Sequence, residues 1–408
     1  MTMPSDRRTF LAQSLGALAG VALLPHAMDA APLWQGTPRK MALIGAGRQG
    51  RAILTELLNI PVVEVAAICD VVPARAEAAA GRLKGAETFT DHRALLEKRP
   101  DVEAVFVATP THLHRGIVED ALQAGRHVFC ESPLASTIDD ARGIAAAAAA
   151  SKQVCHAGFQ GRSNPMYRRA QRLMLTELRD LVSMRAQWNR KTSWRFPAPE
   201  GLSARDANWR LDPEVSLGLP GEVGAQQFDV AHWYRGAYPV RVSGRGAVRL
   251  HNDGRKVADT VSLDLEWADG ISLRYDATLA NSFGSQYEVF SGANGTIQLA
   301  WSHGWLFKEA DAPTQGWEVY ATRQQVLNDE GIVLLADATK LAAQGELKAG
   351  AGLPHSSLYY ALADFVKSVT EGAPVACSAE EGARATIVGI LAHEAVVSGR
   401  TIDIPSFG

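Results

Sequence analysis

The chain has 408 residues, 47% of them hydrophobic and 21% charged, with a formal net charge of −3. That is the balance of an ordinary globular protein with room for two domains, and it gives no electrostatic reason to expect nucleic acid or an anionic membrane surface as a partner. The four cysteines, Cys69, Cys130, Cys155 and Cys377, lack metal-ligand spacing, so four unpaired thiols and no metal site are expected.

The first 31 residues read as an export signal. Arg7 and Arg8 precede Phe10-Leu11, and an apolar run follows to Pro25. This is the twin-arginine pattern, which predicts an exported, periplasmic protein. The run is too short and too rich in Gly and Ala to span a bilayer comfortably, so stable membrane insertion is not expected unless the signal stays uncleaved. The cleavage end near Ala30 or Ala31 is a poor small-x-small match.

From Arg39 short apolar strands alternate with helical patterns. "KMALIGAGRQGRAILTELL" gives a strand, a glycine turn and a helix, and "VVEVAAICDV" a second strand. An alanine-rich helix from Pro73 to about Leu83 and a short strand at "AETFTD" follow. "DVEAVFVATP", "HVFCESP" and "VCHAGF" are further strands, separated by helices at "HRGIVEDALQAG" and "TIDDARGIAAAAAASK". Strands apolar throughout, alternating with helices, indicate a doubly wound parallel sheet over residues 39–157.

After Phe159 the character changes. A helix at "PMYRRAQRLMLTELRD" leads into strands that alternate polar and apolar residues, among them "LVSMRAQWNRK" and "VRVSGRGAVRL". Two hairpins are predicted, about Asp269-Gly270 and Asn294-Gly295. One-sided alternation fits an open, mostly antiparallel sheet, and "SLYYALADFVKSVTEG" and "EEGARATIVGILAHEAVVSGR" supply two closing helices. Overall the chain is α/β: a Rossmann-type domain followed by an α+β domain over 158–408 for substrate binding and oligomerisation.

The strongest motif is Gly45-Ala46-Gly47-Arg48-Gln49-Gly50, set between a strand and a helix, with Asp70 ending the next strand twenty residues after Gly50. In that context the three glycines serve a tight turn, close backbone approach to a pyrophosphate, and helix–strand packing. Asp70 would accept from the ribose hydroxyls and repel a 2′-phosphate, which favours NAD over NADP. Thr109-Pro110 and Glu131 end two further strands at the edge where such sheets bind ligands. His112 and His114 open the next helix, where a histidine is more often a helix-start residue than a catalyst.

With the glycine fingerprint, "ATPTHLH…AL.AG.HV..E.P" and the α+β second half, the chain resembles the Gfo/Idh/MocA family from about Arg39 to its C-terminus. That resemblance implies NAD(P)-dependent chemistry on sugars and cyclitols, with a small carbohydrate or glycoside and further copies of the chain in a homo-oligomer as the expected partners. It places Thr109, Pro110, His114 and Glu131 around the nicotinamide half of the cofactor. It also brings "HAGFQGRSNP" to the substrate side, with Gln160 and Arg162 as the best-placed polar groups.

The chain departs from the family in its catalytic set. The usual Glu-Lys-Pro is Glu131-Ser132-Pro133, and a later Asp…His pattern appears as "EVGAQQFD", putting Glu222 at the Asp position and Gln226 at the His position, with Asp229 retained. A glutamate preserves carboxylate chemistry, but an amide exchanges no protons near neutral pH, and a serine removes the charge that would stabilise an alkoxide. Glu222 is therefore the expected acid/base, Gln226 a substrate hydrogen-bonding group, and Lys191 the candidate replacement for the lysine. Arg210 and Asp229 complete the expected substrate contacts. Three functions follow: a carbohydrate oxidoreductase that holds and recycles its NAD, since the twin-arginine route exports folded proteins; an NAD-dependent glycoside hydrolase that oxidises its substrate transiently; or a non-catalytic nucleotide- or sugar-binding descendant.

Overall fold

The computed structural model describes residues 37–326, 329–334 and 352–407. The predicted export signal lies outside the described residues. Among those residues no helix is long and apolar enough to cross a membrane.

The first sheet has six strands: β1 (Arg39–Ile44), β2 (Val63–Cys69), β3 (Glu87–Phe89), β4 (Ala104–Val107), β5 (His127–Glu131) and β6 (Cys155–Gly158), in the order β3-β2-β1-β4-β5-β6. Every pairing is parallel. Met41 to Ile44 and all of β4 are buried, because helices cover both faces: α1 (Arg48–Leu57), α2 (Pro73–Ala80), α3 (His92–Lys98), α4 (His114–Gln123) and α5 (Ile138–Ala150). The chain turns one way from β1 to β2 and the other way to β4. A crevice therefore opens between the carboxyl ends of β1 and β4, where Gly45 and Thr109-Pro110 lie. α3 was not foreseen; its signal is Asp91, whose side chain accepts from the Arg93 N–H as an N-cap ahead of buried Leu95 and Leu96.

The chain leaves β6 through α6 (Pro165–Leu173), shorter than the sequence suggested because it loosens into a wider turn at Met174–Leu178. The second sheet has ten strands. β7 (Leu181–Asn189), β8 (Arg241–Ala247), β9 (Thr260–Glu266), β10 (Ser272–Thr278), β11 (Gln286–Gly292) and β12 (Gly295–Ala300) match the alternating segments, and both predicted hairpins form. β13 (His303–Lys308), β14 (Arg323–Val326), β15 (Asp329–Val333) and β16 (Ile402–Asp403) extend the edges. All neighbours are antiparallel except β7 and β10, which run parallel at the centre. Leu263, Leu265, Leu273 and Tyr275 point into the core, while Asp264 and Arg274 face outward.

Helices α7 (Ala204–Ala207) and α8 (Ala225–Arg235) lie between β7 and β8, and a wide turn at Pro220–Gly224 leads directly into α8. Two closing helices, α9 (Ser357–Glu371) and α10 (Ala379–Ser398), end the helical part. α10 starts with a capping box between Ser378 and Glu381 and stops at Gly399 in the left-handed conformation. It packs against a strand of each sheet, β6 and β8; Thr386 Oγ1 also accepts from the Leu134 N–H at 3.0 Å in the loop after β5, and Gly389 lies against Ala225 of α8. All four cysteines are free and buried.

Candidate active site

The glycine turn has the shape its sequence requires. Gly45 sits at φ +96°, and a Cβ there would come within 2.6 Å of the Ala108 carbonyl oxygen. A Cβ on Gly50 would overlap the Gly45 carbonyl, whereas nothing lies within 4 Å of the place a Gly47 Cβ would occupy. The space above Gly47 is therefore open to a ligand. The first turn of α1 has no side-chain cap and no acidic residue, leaving its amides and positive dipole end available to a pyrophosphate.

Arg48 starts this helix. Burial, and then the neighbouring guanidiniums of Arg190, Arg210 and Arg51, push its guanidinium below the usual arginine range, so cations from both halves of the chain converge on the turn. Asp70 is buried; one carboxylate oxygen accepts from the Ala46 N–H at 2.8 Å and the other from the Val72 N–H at 2.9 Å. Each oxygen keeps a further lone pair for a ribose hydroxyl. Thr109 Oγ1 is buried without a partner among the described residues. An open cradle, an uncapped helix start, converging cations and an orphaned hydroxyl fit a dinucleotide.

Beside the cradle lie two buried carboxyl groups. Glu131 accepts from Gln49 Nε2 at 2.9 Å, and burial pushes its carboxyl up to about 7. Glu222, on the turn that leads into α8, has a side chain only 1% exposed. It accepts from Thr111 Oγ1 at 3.4 Å, from Arg210 Nε at 3.3 Å and from the Leu217 N–H at 3.5 Å. Burial raises its pKa and the Arg210 charge opposes the rise. A carboxyl raised by burial and steadied by a cation in this way is suited to exchange a proton with a substrate hydroxyl.

Ser132 and Gln226 meet, but differently from the sequence expectation. Gln226 Oε1 accepts from the Gln160 N–H at 3.1 Å, which turns its amide nitrogen toward Ser132 Oγ at 2.6 Å and the Gly158 carbonyl at 2.9 Å. Both amide protons are thereby used. Gln226 is a positioning residue, and Ser132, as the acceptor, keeps its own O–H to donate elsewhere.

Three further expectations are corrected. His114 does not face the cofactor: its ring is buried, with Nδ1 3.1 Å from the Pro133 carbonyl and Nε2 3.0 Å from the Thr109 carbonyl. It braces two strand-end loops, and burial lowers it to about 4. Arg162 and Asp229 do not reach for substrate but hold each other through two bonds of 2.9 and 2.8 Å, with side chains 5% and 1% exposed. Lys191 is exposed, and its contact is a backbone N–H donated to Ser282 Oγ; its neighbour Arg190 is the one whose charge reaches Arg48. Gln160 is half-buried at the site through its backbone, and Pro110 caps the turn that presents Thr111. Thr111 was missed, although a hydroxyl directly after Thr109-Pro110 at a ligand-binding strand end was a readable signal.

Two family models match the chain: "Oxidoreductase family, NAD-binding Rossmann fold" over residues 39–159 and "GFO/IDH/MocA C-terminal domain" over residues 180–298. The chain belongs to the Gfo/Idh/MocA family of oxidoreductases, and its cofactor is NAD. It is 24% identical over 258 residues to the uncharacterized oxidoreductase YrbE of Bacillus subtilis, spanning 62% of this chain and 71% of that protein. It is 26% identical over 276 residues to inositol 2-dehydrogenase of Rhizobium meliloti, 67% and 76% of the two chains. A glycosyl hydrolase family 109 protein of Stenotrophomonas maltophilia is 33% identical over 145 residues, 33% of this chain and 31% of that one. Among solved structures, an oxidoreductase domain protein from Kribbella flavida superposes with a TM-score of 0.74 at 25% identity, covering 91% of this chain and all of that one. Levoglucosan dehydrogenase in complex with NADH and L-sorbose shares the fold, with a TM-score of 0.73 at 21% identity over 91% of this chain and 100% of that one.

Proposed function

We propose that this protein is an exported oxidoreductase that acts on a carbohydrate or polyol, holds its NAD tightly and recycles it without release. The observation that carries this reading is Glu222: a buried carboxylate, held by Arg210 and Thr111, beside the crevice where the dinucleotide cradle ends. When bound, NAD supplies the hydride acceptor or donor. Glu222 takes or returns the proton of the substrate hydroxyl, Ser132 donates its O–H to a substrate oxygen, and Gln226 fixes the direction of that donation. Arg48, Arg51, Arg190 and the uncapped start of α1 hold the pyrophosphate, and Asp70 the adenosine ribose.

The export half of the proposal rests on Arg7-Arg8 and the apolar run behind them. Export of a folded holoprotein favours a retained cofactor, because the far side of the membrane offers little NAD to replace one that is lost. The outward polar face of the ten-stranded sheet is the surface proposed to pair copies in a homo-oligomer. A second reading, hydrolysis of a glycoside through transient ring oxidation, is favoured by the likeness to a glycosyl hydrolase family 109 protein.

Protein recovered from its export compartment and denatured should release nicotinamide dinucleotide detectable by mass. Adding sugars one at a time should then reduce it, seen in the near-ultraviolet band of the reduced ring. A lasting band reversed by a second sugar supports the oxidoreductase, and a transient band with release of an aglycone supports the hydrolase. Glu222→Gln should lower kcat by at least roughly 1,000-fold while leaving the released dinucleotide unchanged. Full turnover by that variant rejects the assignment.

A further inference from the structure

We infer that Arg210 is the catalytic cation of this site, supplying at the substrate oxygen the positive charge that Ser132 lacks. The inference rests on the oxidoreductase reading and assigns a role that the family pattern gives to a lysine on a different strand end.

Arg210 lies in a short turn, Trp209–Leu211, within the insertion between β7 and α8. Its backbone is pinned by Ser216, whose hydroxyl donates to the Arg210 carbonyl at 2.7 Å. Its guanidinium rests over the Trp209 ring at 4.5 Å and lies 5.8 Å from the Trp194 ring. Trp194 itself is buried and held at φ +59°, a conformation in which few side chains rest. Two indole faces thus fix the plane of the cation.

The described contacts of the guanidinium use only Nε, on Glu222. Four N–H groups on the two Nη atoms remain, in the fixed fork that suits paired oxygens, and the side chain is 41% exposed against 1% for Glu222. The charge is felt by both buried carboxyl groups, opposing the rise that burial imposes on Glu222 and on Glu131. Its field therefore extends to Glu131 at the end of β5 as well as to the turn that carries Glu222.

A guanidinium keeps its proton at any working pH, so Arg210 acts by charge and hydrogen bonding while Glu222 moves the proton. The substrate O–H bond breaks, its proton forms a new O–H bond on the Glu222 carboxylate, and the electron pair stays on the alkoxide oxygen. The Nη–H groups of Arg210 stabilise that oxygen. Two other titratable groups pack near the ends of the Glu222 turn: His393 of α10 lies against Gly218, and Tyr275 of β10 against Gly224. Burial holds the first neutral-leaning and the second protonated, so neither substitutes for the cation.

The test uses the full-length holoprotein, Arg210→Met, Arg210→Lys, and Arg210→Met combined with Ser132→Lys. Arg210→Met should lower kcat/KM by roughly 100- to 1,000-fold and move the acid limb of its pH profile upward by about one pH unit. Ser132→Lys in that background should restore at least roughly tenfold, and Arg210→Lys should fall between parent and Arg210→Met. A substrate-free measurement runs alongside: infrared difference spectra against Glu222→Gln follow the Glu222 carboxyl, whose titration should also move upward in Arg210→Met. A loss under about fivefold, or a larger loss with the acid limb and the carboxyl titration unmoved and no rescue by Ser132→Lys, overturns the inference. If the parent oxidises no polyol at all, the functional reading fails, and the infrared titration still decides the role of Arg210.

Discussion

One continuous stretch of helix carries two carboxylates, Glu222 and Asp229, each paired with an arginine from elsewhere in the chain, Arg210 and Arg162, and the two pairs have opposite characters. Arg162 grips Asp229 through two short bonds, adds a third to Glu381 at 2.6 Å, and is sealed from solvent. Arg210 touches Glu222 through one contact of 3.3 Å and keeps its outer edge in the open crevice. The same two chemical groups therefore serve two ends. In the closed pair nearly every donor is satisfied and nothing remains for a ligand; in the open pair the cation has N–H groups to spare and the carboxyl is free to titrate. Valence left over, rather than residue type, separates the working pair from the structural one.

That contrast breaks most clearly on stability. Arg162→Met strands an enclosed carboxylate and should cost about 3–5 kcal/mol, whereas Arg210→Met leaves Glu222 its Thr111 and Leu217 donors and a raised carboxyl that can take up a proton, and should cost less, about 1–2 kcal/mol. Denaturant midpoints of the two variants measure both, and equal losses would erase the distinction. Smaller and confined to the cofactor is Gly50→Ala. Its new Cβ meets the Gly45 carbonyl, so NAD affinity should fall by roughly 100-fold, near 2.7 kcal/mol, in calorimetry on the apoprotein.

A pH-dependent effect tests a third arrangement, a buried carboxyl with no cation beside it among the described residues. Glu288 is held by Tyr167 Oη at 2.5 Å and Gln227 Nε2 at 2.7 Å, and burial pushes it up to about 7. From its ordinary value of 4.5 up to about 7 the folded chain keeps a proton that the unfolded chain gives up, so this group's contribution to stability falls as pH rises through that window. Glu288→Gln should remove that slope: relative to the parent, its unfolding midpoint should climb between pH 4.5 and 7 and run parallel above. A constant offset across the range would show that Glu288 titrates normally.

Much of this was legible in the sequence, for reasons that are local. Gly45, Gly47 and Gly50 lie within six residues and Asp70 closes the next strand, so the cradle could be read from spacing alone. The alternation in β9 and β10 announced one buried and one solvated face. What stayed hidden depends on distance or on parity. Arg162 and Asp229 are 67 residues apart, and each alone looks like a polar group free for substrate. Lys191 and Arg190 are neighbours just past β7, where the Arg190 N–H pairs with the Thr278 carbonyl at 3.0 Å and the Thr192 N–H with the Leu279 carbonyl at 3.2 Å; one residue's difference sends a side chain to the other side. His114 carries a ligand's residue type, and three backbone carbonyls claim its ring.

The closing helix α10 also sets an order of events. The loop that carries Ser132 is tied down by Leu134 to Thr386, a bond spanning 252 residues, and β6 is fastened by the Ala157 N–H to the Cys377 carbonyl at 3.0 Å. A ribosome delivers all six parallel strands long before it delivers Cys377 or Thr386, so the nascent chain can pair its first sheet while that loop has nothing to rest on. On this order the serine loop should gain its last tie only when the closing helix docks. Completing the fold and completing the site are then one event, and a chain truncated before α10 should emerge with its nucleotide sheet intact and its reaction edge undone.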